Sequence, residues 1–113
     1  MSTIFNKIIN KEINSDILYE DGKSLAFRDI NPQAPEHILI IPKKAISTIN
    51  DITANDKEII GHLFVVAAKL AKDLNISDDG YRIVFNCNDN GGQTVYHIHM
   101  HLMGGRKFSW PPG

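Results

Sequence analysis

The chain has 113 residues, of which 42% are hydrophobic and 22% are charged, and its formal net charge is −1. These values are typical of one soluble globular domain, and the length is too short for two domains with proper cores. A near-neutral chain without a long run of Lys and Arg lacks the clustered positive charge that binds a nucleic-acid backbone. No apolar run is long enough to span a bilayer. The single cysteine, Cys87, cannot form an intrachain disulfide, which fits a reducing compartment. We therefore expect one cytoplasmic domain over residues 1–113 that binds neither nucleic acid nor membrane.

The predicted elements begin with a short helix and three strands. Apolar residues of Thr3–Ile9 recur at i and i+4, which predicts an N-terminal helix. Strands are predicted at Ile17–Glu20 and Ser24–Arg28, and the turn signal Asp21-Gly22 between them indicates a hairpin. A third strand is predicted at His37–Pro42. It ends at the proline, because proline has no backbone N–H to donate to a neighbouring strand.

The second half of the chain predicts one long helix and two more strands. The helical apolar face runs from Ile59 to Leu74, and Thr53 with Asp56 resembles a capping box before it. Strands are predicted at Tyr81–Cys87 and Val95–Met103, with turn-forming residues between them. The elements together predict an α+β fold: an antiparallel sheet of about five strands with one long and one short helix.

Three histidines at alternate positions form the strongest chemical pattern in the chain. Side chains alternate across a strand, so His97, His99 and His101 are expected on one face and their apolar neighbours on the other. On a regular strand the outer two stand roughly 13 Å apart, too far for all three to share one metal ion through bonds of about 2.1 Å. A row of this kind suits a reaction in which one histidine attacks a tetrahedral centre while its neighbours hold that centre and its oxygens. A metal site using two of the histidines and other ligands stays open as an alternative.

The residues just before this row indicate that the target is phosphorus. Gly91 and Gly92 let backbone N–H groups approach an anion closely, and Gln93 and Thr94 add side-chain donors. Imidazole is mostly unprotonated near neutral pH, because its reference pKa is about 6.5. It also leaves readily from a phosphohistidine, which divides one difficult displacement into two easier ones.

Nearly the whole chain resembles the Hint branch of the histidine-triad superfamily, the nucleoside phosphoramidases. His97–Met103 matches the family pattern His-φ-His-φ-His-φ-φ, where φ is apolar, and the C-terminal Trp110–Gly113 is typical of this branch. The resemblance implies hydrolysis of a purine nucleoside phosphoramidate to a nucleoside monophosphate and an amine, through a nucleotidyl-histidine. It also implies that no metal or organic cofactor is required, and that two copies form a homodimer that continues the sheet across both subunits.

The resemblance also assigns roles to individual residues. His99 resembles the nucleophile, His101 a ligand of the phosphate oxygens that assists the leaving group, and His97 the histidine that helps to fix and polarise the nucleophile. His37 matches a fourth active-site histidine. Thr94 stands where many relatives have serine, and its hydroxyl is expected to keep the catalytic contact with the leaving group. The implied nucleotide-binding residues, which would hold a purine nucleotide of the AMP or GMP type, are Phe5, Ile8, Phe27, Asp29, Ile30, Asn86, Gly92, Gln93, Thr94, His99 and His101.

The C-terminal segment and a few isolated residues carry weaker expectations. By resemblance, the segment crosses to the partner subunit's site, where Trp110 would influence leaving-group preference. His62 is expected to face solvent from the polar flank of the long helix, and Cys87 to be a small buried strand residue. Lys43-Lys44 is interpreted as a solvated turn.

Two other functions stay open. One is a dinucleoside polyphosphate hydrolase of the same superfamily, in which the leaving group is a nucleotide; the Trp-Pro-Pro-Gly end argues against it. The other is a nucleotide-binding regulatory protein with vestigial catalysis, against which the intact row of histidines argues.

Overall fold

In the computed structural model, which describes residues 2–113, five strands form one antiparallel sheet. In chain order the strands are β1 Ile17–Glu20, β2 Ser24–Arg28, β3 Glu36–Pro42, β4 Tyr81–Val84 and β5 Met100–Gly104. Their order across the sheet is β1-β2-β3-β5-β4, so β5 is paired on both sides. The helices are α1 Ile4–Ile9, α2 Lys57–Asp73 and α3 Asn88–Gly91, with 3₁₀ turns at Ile49–Asp51 and Ala54–Asp56. The predicted α+β fold with a five-stranded antiparallel sheet is confirmed.

The two faces of the sheet are covered by different helices. On one face α2 packs against alternate residues of the central strands, including Ala26, Ile38, Ile40, Met100 and Leu102. On the opposite face α1 contributes Phe5 and Ile8, which pack with the intervening residues Leu25, Phe27, Leu39 and Ile41. Because side chains alternate along a strand, His37 and His101 lie on this second face, which we call the α1 face.

The hairpin turn between β1 and β2 is held by one carboxylate and tied to α2. Asp21 accepts hydrogen bonds from the backbone N–H groups of Lys23 and Ser24 at 2.8 and 2.7 Å. His62 of α2 lies 2.6 Å from Asp21 Oδ2, and its side chain is only 31% exposed. The expectation that His62 faces solvent is therefore wrong, because the carboxylate of the hairpin turn binds its ring.

Other boundaries differ from the predictions in ways that matter for the site. The strands β1 and β2 and the long helix are confirmed, but the Thr53–Asp56 capping box begins the 3₁₀ turn before α2 rather than α2 itself. The fourth strand ends at Val84 instead of Cys87, which is half-buried, and the expected turn after it contains the short helix α3. Lys43 and Lys44 are not simply solvated, since they form ion pairs with Glu20 and Asp56.

The largest difference concerns the last strand, which begins at Met100 rather than at Val95. The β3–β5 pairing ends at Ile40 opposite Met100. The backbone N–H of Lys43 donates to Lys23 on the β2 side, so its neighbour Pro42 is directed towards β5, where it has no N–H to offer. Residues 97–99 consequently leave the ladder, and Ile98 N–H donates to Ile46 O at 2.7 Å.

No helix among residues 2–113 is both long enough and apolar enough to cross a bilayer. The structure contains one chain, and the homodimer stays a prediction.

Candidate active site

A cleft of about 370 Å³ opens on the α1 face, bounded by α1, the end of β2 and the segment leading into β5. Most of its wall is apolar, and the polar groups are gathered at few positions, as is usual for small-molecule sites. The apolar lining includes Ile4, Phe5, Ile8, Ile13, Phe27, Ile30, Leu39 and Val95. The polar or charged lining is Asn14, Ser15, Arg28, Asp29, Thr94, His99 and His101.

His99 is held so that one ring nitrogen is free. Its Nδ1 lies 2.8 Å from the backbone carbonyl of His97, and a carbonyl oxygen only accepts, so Nδ1 carries the ring proton. The edge of Phe5 packs against the ring, with centroids 5.0 Å apart and planes at 86°. The remaining nitrogen, Nε2, keeps its lone pair on a ring that lines the cleft. This is the form of imidazole that can act as a nucleophile.

His97 reaches the site through its backbone and not through its ring. The ring is 1% exposed, and its Nε2–H donates to the Pro42 carbonyl at 2.7 Å. The resulting anchor joins the bent segment to the end of β3, while the His97 carbonyl orients His99. The main chain of His97, and not its ring, therefore orients His99.

His37 and His101 form a hydrogen-bonded pair whose proton positions follow from the main chain. The backbone N–H of Gln33 donates to His37 Nδ1 at 3.0 Å, so the ring proton of neutral His37 is on Nε2. That Nε2–H lies 2.9 Å from His101 Nδ1, which must accept it. Neutral His101 then carries its own proton on Nε2, and the ring lines the cleft 5.0 Å from the ring of His99, centroid to centroid. The cleft thus contains a nucleophilic nitrogen next to a donor N–H.

Burial keeps these imidazoles neutral. Burial lowers the pKa of His99, against the opposing effects of the hydrogen bond to His97 O and the charge of Asp29. Burial also lowers the pKa of His101, to about 4, with further lowering by His99 and His37 and partial compensation by Asp29. The pKa values of His37 and His97 are lowered by burial as well. All four rings therefore carry a single proton and no charge at neutral pH, the form in which an imidazole can act as a nucleophile.

The structure brings most of the predicted nucleotide-binding residues to the cleft wall. Phe5, Ile8, Phe27, Asp29, Ile30, Thr94, His99 and His101 line it. Ile30 is 96% exposed, which places an apolar side chain at the rim in contact with water. Asn86, Gly92, Gln93 and Trp110 are not part of the wall, and Trp110 is 82% exposed.

Gln93 has a different task from the expected one of donating to phosphate. Its Oε1 accepts from Asn88 N–H at 2.9 Å, and its Nε2 donates to the carbonyls of Ser47 and Val95 at 2.8 and 3.1 Å. The backbone N–H groups of Gly92 and Gln93 also donate within the loop. These donors are occupied in closing the loop, so Thr94 remains as the residue of this motif that lines the cleft.

Seven lining residues were missed by the sequence analysis: Ile4, Ile13, Asn14, Ser15, Arg28, Leu39 and Val95. Ile4, Arg28 and Val95 are direct neighbours of predicted residues in the chain. Leu39 follows from strand alternation, since it shares the α1 face with His37. Ile13, Asn14 and Ser15 lie between α1 and β1 in a segment without periodicity, so no local signal indicates them.

One group of residues has the composition of a metal site. Asp29, His37 and His101 each place one donor atom so that all three lie within 4.8 Å of one another. A shared ion would need lone pairs from both rings, and the proton of His37 would have to move to Nδ1. There it would face the N–H of Gln33. The hydrogen bonds present favour a proton relay over a metal centre.

Comparisons with known proteins identify the family of the chain. The HIT domain family model matches residues 10–108. A purine nucleoside phosphoramidase of Escherichia coli strain K12 is 58% identical over 104 residues, or 92% of this chain and 87% of that protein. A HIT family hydrolase from Legionella pneumophila has a TM-score of 0.97 at 54% identity, covering 99% of this chain and 100% of that chain. A histidine triad protein from Clostridium difficile has a TM-score of 0.91 at 44% identity, covering 94% and 92%. The predicted resemblance is confirmed.

The lowered pKa of His101 can be measured directly. We expect its ring signals to titrate by NMR well below the reference pKa of about 6.5, with a midpoint of about 4. Because the pKa of the folded state is below that of the unfolded chain, the ring stays neutral on acidification until the pH approaches the lower value. His101→Gln identifies the signal by its loss, and circular dichroism confirms folding at each pH. A midpoint at or above the reference value would contradict the proposed desolvation.

Proposed function

The chain belongs to the HIT domain family, and we propose that it hydrolyses the P–N bond of purine nucleoside 5′-phosphoramidates to a nucleoside monophosphate and an amine. The observation that carries the proposal is the unpaired Nε2 of His99 in the cleft beside the Nε2–H of His101. A family relative is named purine nucleoside phosphoramidase, which supports the same substrate class.

In the first step His99 Nε2 attacks the α-phosphorus and the P–N bond to the amine breaks. An amine anion is a very poor leaving group, so the departing nitrogen must receive a proton. The negative charge of the bound phosphate favours protonated imidazole, so His101 takes up a proton from solvent at Nδ1 in the complex and gives its Nε2 proton to the leaving nitrogen. The Nε2–H of His37 then donates towards the carboxylate of Asp29, which lies 3.5 Å away. The amine leaves neutral, and the nucleotide is bound to His99.

In the second step water attacks the phosphorus of the nucleotidyl-histidine. Neutral His101 now accepts the proton of the water through Nε2, while the electrons of the P–N bond return to His99. The nucleoside monophosphate is released, His101 returns the proton on Nδ1 to solvent, and both rings are ready for another cycle. Imidazole serves well in both steps because it is a good nucleophile when neutral and a good leaving group when phosphorylated.

The rest of the cleft fits a nucleoside. The apolar walls formed by Phe5, Ile8 and Phe27 suit a purine ring. One carboxylate oxygen of Asp29 accepts a hydrogen bond from the backbone N–H of Asn31 at 2.8 Å, and the other lies 3.5 Å from His37 Nε2. Accepting lone pairs on this carboxylate support the assigned contact with ribose hydroxyls.

Two copies of the chain are proposed to act as a homodimer. The strands β1 and β4 are the edges of the sheet, and an uncovered edge is a template for pairing. The tail does not fold into its own cleft: Arg82 donates to the Ser109 carbonyl at 2.9 Å, and Trp110 extends into solvent. An exposed tryptophan at the end of an anchored segment supports a contact with the partner's leaving-group pocket.

The role of His99 is tested by His99→Asn. The variant keeps a polar side chain but lacks the nucleophile, so turnover of adenosine 5′-phosphoramidate should fall by more than the ~10²- to 10⁴-fold attributed to one acid–base group. Binding of AMP, measured by calorimetry, should persist.

His62→Asn is a matched control, because His62 lies on α2 across the sheet from the cleft and should leave turnover within a few-fold of wild type. Turnover of His99→Asn within tenfold of wild type would remove His99 from the nucleophile's role. A dinucleoside polyphosphate assayed in parallel, if hydrolysed faster than the phosphoramidate, would favour the alternative leaving group.

Chelation tests the metal alternative raised by Asp29, His37 and His101. We expect full activity after exhaustive dialysis against a strong chelator, since the lone pair of His101 Nδ1 is already engaged by His37. Loss of activity that zinc alone restores would show that the cluster is a metal site instead.

Leaving-group choice by the tail is tested by deleting residues 110–113. The deletion keeps Phe108 and Ser109, and thus the contacts with Arg82, so the melting temperature should stay near that of the full chain. The ranking of kcat/KM for phosphoramidates with small and bulky amines should change. An unchanged ranking at normal stability would exclude the tail from substrate choice.

A further inference from the structure

The turn after β5 packs directly on the loop that leads into β3. Gly105 has φ +91, and a Cβ added there would lie 2.8 Å from Pro35 Cβ. The next residue, Arg106, donates through Nε and Nη2 to the Gln33 carbonyl at 3.3 and 3.0 Å. This turn follows β5 directly, yet its contacts are with a loop seventy or more positions earlier in the chain.

The Arg106 side chain is itself held in place. Its guanidinium carbon lies 4.2 Å from the centroid of the Phe108 ring, and Nη1 donates to the Lys107 carbonyl at 3.3 Å. Arg82 approaches the same ring, at 5.1 Å. Stacking on an aromatic ring orients the planar guanidinium, so less conformational freedom is lost when it binds the carbonyl.

Gln33 is therefore bound at both of its main-chain groups. Its carbonyl accepts from Arg106, and its N–H donates to His37 Nδ1 at 3.0 Å. This N–H is what places the proton of His37 on Nε2, and His37 in turn places the proton of His101 on the nitrogen that lines the cleft. A shift of the loop by about 1 Å would break the first of these hydrogen bonds.

We propose that Arg106 is a positioning residue, which by holding Gln33 sets the ring tautomers of His37 and His101. It touches neither substrate nor reacting atoms. The tautomers can be observed in the protein without substrate. Only the predicted effect on turnover rests on the proposed phosphoramidase function. Without Arg106 the loop is held less firmly, His37 samples the Nδ1–H form, and His101 loses the fixed donor directed at the phosphate.

Ring-nitrogen NMR shifts at neutral pH test the proposal without substrate, because protonated and unprotonated nitrogens have distinct shifts. In the wild type, Nδ1 of His37 and of His101 should be unprotonated and both Nε2 protonated. Arg106→Ala should move the shifts of both rings towards averaged values, and lower kcat about tenfold with little change in KM. Arg106→Lys, which can still donate to the carbonyl, should restore part of the wild-type shifts.

Arg82→Ala is the matched control. Arg82 also approaches Phe108 and binds the tail, but its hydrogen bond is to Ser109. We expect the wild-type histidine shifts in this variant. Melting curves of both variants serve as the control for folding. The proposal is overturned if Arg106→Ala keeps the wild-type shifts, or if Arg82→Ala changes them equally. If Arg106→Ala changes them and the wild type cleaves no phosphoramidate, the positioning role stands and the proposed function fails.

Discussion

Pro42 lacks a backbone N–H at the position where β3 would continue its pairing with β5. The β3–β5 ladder ends at Ile40 and Met100, and the chain that enters β5 bends. The Pro42 carbonyl is then free to accept from His97 Nε2–H, which anchors the bend. The bend brings the ring of His99 against Phe5 and within 5.0 Å of the ring of His101. The rings of His99 and His101 thus approach each other just beyond the point where one strand lacks a donor.

The same arrangement determines the electrostatics of the cleft. The α1 face supplies Phe5, Phe27 and Leu39 around the histidines, so the rings are largely removed from water and the charged form of each imidazole is disfavoured. Asp29 is the charge that opposes this effect for His37, His99 and His101. The electrostatic effect of its carboxylate is smaller than the effect of burial, so the pKa values stay lowered. A bound phosphate would add negative charge to the same space. In the proposed mechanism, binding of substrate and protonation of His101 are therefore coupled.

Sequence patterns predicted the chemistry of this site better than its geometry. Alternation along His97–Met103 predicted three imidazoles on one face, of which the structure brings His99 and His101 to the cleft. The strands β1, β2 and β3 follow from local propensity and turn residues. The bend at 97–99 was missed because periodicity contains no information on where a partner strand stops pairing. Gln93 was misjudged for a related reason: its bonds to Asn88 and Ser47 arise from tertiary contacts, which a local motif cannot show.

Main-chain groups set the proton positions of the site. The Pro42 carbonyl determines the tautomer of His97, the His97 carbonyl that of His99, and the Gln33 N–H that of His37. Substituting the side chain of Gln33 does not remove its backbone N–H. The substitutions that disturb the site are therefore those at residues that hold these main-chain groups in place. A proline at position 33 is the exception, since it would delete the donor itself. Control of reactivity in this fold therefore extends to residues, such as the proline that ends β3, whose side chains carry no chemistry.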